Sequence, residues 1–172
     1  LPLRGHSNVQ GVGSVGVTPA LKKDVMEKLK SELGITMPAQ PGLDTMHCMR
    51  SALKGESDLA YLLGGNLYAA NPDSRFSEQA LNSIPFKVFL PTTLNTSHVS
   101  ATERECIILP VAARDEEKQS TTQESMFNFV RISDGGIVRL DNVRSEVEVI
   151  ADLASRALGN HPLDWLRFKE HR

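Results

Sequence analysis

The sequence predicts an α/β fold built on an open, mostly parallel sheet with helices on both faces. Short aliphatic runs at Leu59–Leu63, Phe86–Leu90 and 106–109 are separated by helical stretches, the order that parallel strands joined by crossover helices produce. The first two runs end directly in residues that shape loops: glycine and asparagine after one, proline, threonine and asparagine after the other. With 172 residues, 40% of them hydrophobic, the chain can fill the core of one ordinary domain. The expected architecture is therefore Rossmann-like and doubly wound.

The elements follow in order. Residues 1–17 carry Gly5, Gly11, Gly13 and Gly16 without helical or strand periodicity and are expected to form a loop. Thr18 and Pro19 form a cap and first-turn proline, and Leu21, Val25, Met26, Leu29 and Leu33 keep one apolar face up to Gly34. Pro38, Pro41 and Gly42 interrupt the chain. A second helix is expected over 43–54, with Leu43, Met46, His47 and Leu53 at helical spacing and Gly55 as its stop. Another is expected over 74–82, and His98 opens a further one. Asp134, Gly135 and Gly136 predict a hairpin turn joining strands at 127–132 and 137–140. A strong helix over 145–158 closes the α/β domain, taken as 18–158, and leaves 159–172 as a tail or linker.

Composition narrows the function. A formal net charge of -2 provides no whole-chain field to attract nucleic acid or an anionic membrane. No apolar run is long enough to span a bilayer, and no export signal is visible. Cys48 and Cys106 stand outside any CxxC pair, so both are expected as small buried apolar residues in a reduced, cytoplasmic setting. No spacing of His, Cys and carboxylates makes a metal site, and no nucleophile elbow supports hydrolase chemistry. His47 is expected as an ordinary histidine, and Asp115, Glu116 and Glu117 as a solvated loop.

Three loops remain as candidates. Gly11, Gly13 and Gly16 spell GxGxxG, but the strand before it is poor and the helix begins only after Pro19, so a dinucleotide fingerprint is disfavoured. Gly64, Gly65 and Asn66 directly follow a strand, where ligands of an open parallel sheet bind. Two glycines remove the Cβ atoms that would hold a phosphate or flat ring away from backbone N–H groups, and Asn66 tolerates a left-handed turn. After the next strand, Pro91, Thr92, Thr93, Leu94, Asn95 and Thr96 place small hydrogen-bonding side chains at the same edge. The two loops are expected side by side, as a nucleotide cleft.

The segment Arg4-Gly5-His6-Ser7-Asn8-Val9-Gln10-Gly11 resembles the active-site loop of molybdopterin oxidoreductases, in particular formate-dehydrogenase-like alpha subunits. The likeness continues in order through 60–66, 88–95 and 106–110 and runs to about Leu158. It implies an internal domain of a larger molybdenum-dependent oxidoreductase that oxidises formate or a similar small molecule and passes electrons on. It implies a bis-molybdopterin guanine dinucleotide cofactor with Mo or W, one half of which this domain would bind through Gly64, Gly65, Asn66, Thr92, Thr93 and Asn95. By the same resemblance the other half, a 4Fe-4S cluster and the protein ligand to the metal come from other segments of the parent chain, and an electron-transfer subunit is a further partner. The isolated piece would lack turnover. Arg4 matches the arginine that faces substrate, and His6 the polar residue beside it. A guanidinium offers a fixed fork of donors to a small carboxylate, and an imidazole can take a proton. The alternative is a non-catalytic α/β nucleotide-binding or interaction domain, which shares the sheet and loops but gives Arg4 and His6 no task.

Overall fold

A computed structural model describes residues 22–36, 40–124, 130–137 and 139–170. In chain order they form α1 (Lys23–Leu33), α2 (Thr45–Leu53), β1 (Leu59–Leu63), α3 (Leu67–Ala70), α4 (Ser74–Ser83) and β2 (Phe86–Leu90). Then come α5 (Ser97–Ser100), β3 (Glu105–Ile108), β4 (Thr121–Glu124), β5 (Val130–Ser133), α6 (Glu146–Leu158) and a final 3-10 helix, Trp165–Lys169. The elements fall into two compact units: Leu43–Ala112, and the described residues up to Gly42 together with those from Ala113 on.

The unit Leu43–Ala112 holds the parallel sheet, in the order β1-β2-β3. Its class is the one expected, α/β with an open parallel sheet, and β1 and β2 have the predicted bounds. Leu59 pairs with Phe86 and Leu63 with Leu90, while Phe86 pairs with Glu105 and Phe89 with Ile108. Because side chains alternate along a strand, Ala60, Leu62, Phe89 and Cys106 share one face, and this face joins Met49, Ala52, Ala80, Leu81, Ile84 and Ala101 in the core. Full burial of a side chain such as Leu81 or Phe89 contributes roughly 1.5–3 kcal/mol. The opposite face carries Leu59, Leu63 and Ile107, which remain about half exposed.

Helix α2 departs from its expected face. Leu43 and Met46 are exposed, and the buried residues are Met49 and Ala52, which turn toward α4. The helix starts at Thr45 because the Asp44 side chain caps it, accepting from the His47 N–H at 2.8 Å. His47 is consequently a surface residue, and Cys48 is exposed rather than buried. Helix α1 begins at Lys23 after an extended Lys22; Thr18 and Pro19, the expected start, lie outside the described residues. It ends at Gly34, whose φ of 66° lets its N–H and that of Ile35 close on Lys30 and Leu29.

In the second unit the hairpin is rearranged. β5 pairs antiparallel with β4, Thr121 opposite Ser133, and 137–140 forms no strand among its described residues. Gly135 lies against the backbone of another segment there. A Cβ there would overlap the Glu117 carbonyl oxygen, so this glycine serves close backbone approach and not a turn. The chain beyond it runs back along 115–117, with the Ile137 N–H donating to the Asp115 carbonyl at 3.1 Å and Arg139 bridging Asp115 and Glu116 at 2.8 and 3.2 Å. Helix α6 is fixed at its start by a capping box between Ser145 and Glu148. The 3-10 helix packs on α6, with Lys169 bonded to Asp152 at 2.9 Å.

Gly135→Ala should destabilise this unit by about 2 kcal/mol or more, since backbone must move to admit the methyl group. Gly136→Ala meets open space and suffers only from its φ of 93°, at a cost of about 1–2 kcal/mol. Urea unfolding of both variants checks the order; equal losses would contradict the close-approach account.

The aliphatic run of β2 also holds a buried lysine. Lys87, fully buried, sits in the row between Ala60 and Cys106, and its Nζ donates to the Ile84 carbonyl at 3.1 Å. Burial disfavours its ammonium form and lowers its pKa from 10.5, with Cys106 partly opposing. The unfolded chain therefore binds this proton more tightly than the folded one. Stability should rise as pH climbs from the depressed value toward 10.5, and Lys87→Met should remove that rise. Parallel pH profiles of unfolding free energy for parent and variant would count against it.

Candidate functional site

Both expected loops leave the sheet at its carboxyl edge and meet there. Parallel pairing places Leu63 beside Leu90, and the Gly64 N–H then donates to the Leu90 carbonyl at 2.9 Å. Gly64 and Gly65 follow with φ of 58° and 69°, two successive left-handed residues that other side chains would strain. Beyond β3, the Val111 N–H donates to the Pro91 carbonyl at 3.0 Å and holds the start of the second loop. Between them lies a pocket of about 200 Å3 lined by Gly64, Gly65, Pro91, Thr92, Thr93 and Asn95. Among the described residues its lining is main chain, the Pro91 ring, hydroxyl and amide, without a charged side chain.

Asn95 joins the loops directly. Its Nδ2 donates to the Gly65 carbonyl at 2.8 Å, its Oδ1 accepts from the Ser97 N–H at 3.0 Å, and its own N–H donates to His98 Nδ1 at 2.9 Å. His98 stands edge-on to Phe89, ring centroids 5.1 Å apart, and burial lowers its pKa. Acceptance at Nδ1 assigns the ring proton to Nε2.

A second tie lies behind the pocket. Asn66 caps α3 by accepting from the Ala69 N–H at 3.2 Å, accepts from Ser97 Oγ at 2.8 Å and donates to Thr96 Oγ1 at 2.9 Å. Ser97, almost fully buried, in turn accepts from the Tyr68 N–H at 3.1 Å.

Of the residues singled out for cofactor binding, Gly64, Gly65, Thr92, Thr93 and Asn95 line the pocket, while Asn66 supports it from behind. Pro91 and Thr96 belong to the second candidate loop without being among the expected ligand contacts, and Ser97 and His98 are an addition from the structure. Arg4, His6 and the glycines at 11, 13 and 16 lie outside the described residues. Among the described residues no helix is long and apolar enough to cross a membrane.

Comparison with known proteins places this chain within longer ones. It is 35% identical over 179 residues to an uncharacterized oxidoreductase of Mycobacterium tuberculosis, covering 98% of this chain and 23% of that protein. It is 33% identical over 172 residues to the protein YdeP of Escherichia coli, covering 95% of this chain and 22% of YdeP. A Bacillus subtilis protein with the provisional name formate dehydrogenase YrhE is 24% identical over 175 residues, covering 95% of this chain and 17% of its own length. No family model matches the chain. The chain is therefore homologous to one segment of larger oxidoreductases. It spans less than a quarter of the length of these curated relatives.

Asn66→Ala should cost roughly 1–3 kcal/mol, since it removes a helix cap and both loop ties. Asn66→Asp keeps the acceptor for Ala69 and Ser97 and should lose less. Thermal unfolding distinguishes them, and an alanine variant as stable as the parent would show that the network does not hold the loops.

Proposed function

We propose that the chain is the part of a molybdopterin-dependent oxidoreductase that binds one guanine dinucleotide arm of its cofactor. The observation that carries the reading is the neutral polar pocket formed by two loops at the carboxyl edge of a parallel sheet. Provisional naming of the Bacillus subtilis relative as a formate dehydrogenase supports the same assignment, with formate or a similar small acid as substrate.

The residues fit such a ligand. Adjacent glycines open one wall of the pocket, and a Cβ at Gly65 would meet nothing within 4 Å, so a flat ring or phosphate can approach the main chain there. Thr92 and Thr93 supply hydroxyls that both donate and accept, suited to a guanine edge or a ribose. Two-electron oxidation of a small substrate is the chemistry such a metal–pterin cofactor supplies when bound. On this reading Arg4 binds and orients the substrate carboxylate through its two-pronged guanidinium, and His6 takes up the proton released. The second guanine dinucleotide, a 4Fe-4S cluster, the metal's protein ligand and an electron-transfer partner belong to the rest of the parent enzyme.

Titration of the 172-residue chain with GDP, and with ADP as control, tests the pocket directly. GDP should bind saturably and shift the backbone signals of Gly64, Gly65 and 92–95. The double variant Thr92→Val, Thr93→Val keeps the side-chain shape, and should weaken binding about tenfold at little cost in thermal midpoint. Absence of any GDP response in the parent chain, or one mapping elsewhere, would sink the assignment.

A further inference from the structure

His98 does not line the pocket, yet the contacts that close the pocket begin at its ring. We propose that His98 is a positioning residue of the nucleotide site, holding Asn95 through Nδ1 so that the Asn95 side chain bridges to the Gly65 loop. The role rests on the nucleotide reading for its ligand, but its geometry stands apart from that reading.

The linkage can be followed atom by atom. The His98 ring is set edge-on against Phe89, a residue of the buried core, at an interplanar angle of 86°. Its Nδ1 accepts the Asn95 backbone N–H at 2.9 Å, which holds the Asn95 main chain at the lip of the pocket. With the backbone held, the two ends of the Asn95 amide face different partners. Oδ1 takes the Ser97 N–H at 3.0 Å, and Nδ2 reaches across to the Gly65 carbonyl at 2.8 Å. Gly65 has open space around it and a left-handed φ of 69°, so side-chain packing does little to place its carbonyl. A core contact at Phe89 is thereby carried through one imidazole and one amide to the opposite wall of the pocket. The requirement is an acceptor at the Nδ1 position, not a histidine as such.

Two substitutions separate that acceptor from the bulk of the ring. His98→Asn places Oδ1 on Cγ, where Nδ1 stands, and loses the rest of the ring. His98→Phe keeps the ring against Phe89 and loses the acceptor. GDP affinity and thermal midpoint are measured for the parent chain and both variants, and the Asn95 backbone and side-chain amide signals are followed by NMR without ligand. His98→Phe should bind GDP about fivefold to tenfold more weakly with its midpoint nearly intact, the loss expected for one hydrogen bond. His98→Asn should retain affinity within about twofold while melting lower. Without ligand, the Asn95 signals should move in the Phe variant and stay near their parental positions in the Asn variant. If GDP affinity instead falls in step with the midpoint in both variants, His98 is a packing residue and the inference is overturned. If the parent fails to bind GDP, the nucleotide reading falls, and the Asn95 signals alone decide the linkage. Unchanged Asn95 signals in His98→Phe overturn it; their displacement in that variant only sustains it.

Discussion

Parallel pairing of β1 with β2 is the constraint on which the site depends. Two parallel neighbours must end at the same edge, so Leu63 beside Leu90 obliges both following loops to leave the sheet together. An antiparallel pairing of the same runs would have sent Gly64 and Pro91 to opposite ends. The hydrogen bond from the Gly64 N–H to the Leu90 carbonyl extends the ladder by one step, and the left-handed glycines then turn the chain away from it. What remains between the loops is a gap, bridged by Asn95 and supported by Asn66 from behind.

Much of this was legible in the amino-acid sequence. Aliphatic runs bounded by glycine, proline and threonine mark β1 and β2 to the residue, because strands of a parallel sheet are rich in apolar side chains and end in a loop. The backbone lining of the pocket follows from the same pattern. Asn66 also makes contacts that its loop position does not reveal. Its amide is occupied by three neighbours about thirty residues away or just ahead in its own helix, and only the folded chain brings Thr96 and Ser97 to it. Nothing in the spacing of His98 separates it from a helix-capping residue, since its function lies in one nitrogen facing one amide.

The misread elements share a cause. Helical spacing identifies α2 but not which of its faces is buried, and the presence of α4 against Met49 and Ala52 decides that. An Asp-Gly-Gly sequence fits a two-residue turn, yet Gly135 is required by the Glu117 carbonyl, an atom that sequence cannot place near it. Lys87 passes unnoticed in a strand of otherwise apolar residues because lysine is an ordinary surface residue by type. Its burial is set by the register that puts it in line with Ala60 and Cys106.

Among the described residues that line the pocket no side chain is charged, and this bears on how an occupant would be held. Attraction between full charges weakens as ionic strength rises, whereas hydrogen bonds from fixed main-chain groups, hydroxyls and an amide act over a few ångströms, well inside the Debye length of about 8 Å in physiological salt. A pocket of neutral dipoles therefore selects by the pattern of donors and acceptors its ligand presents, and its grip is nearly the same in dilute buffer as in the crowded salt of a cell.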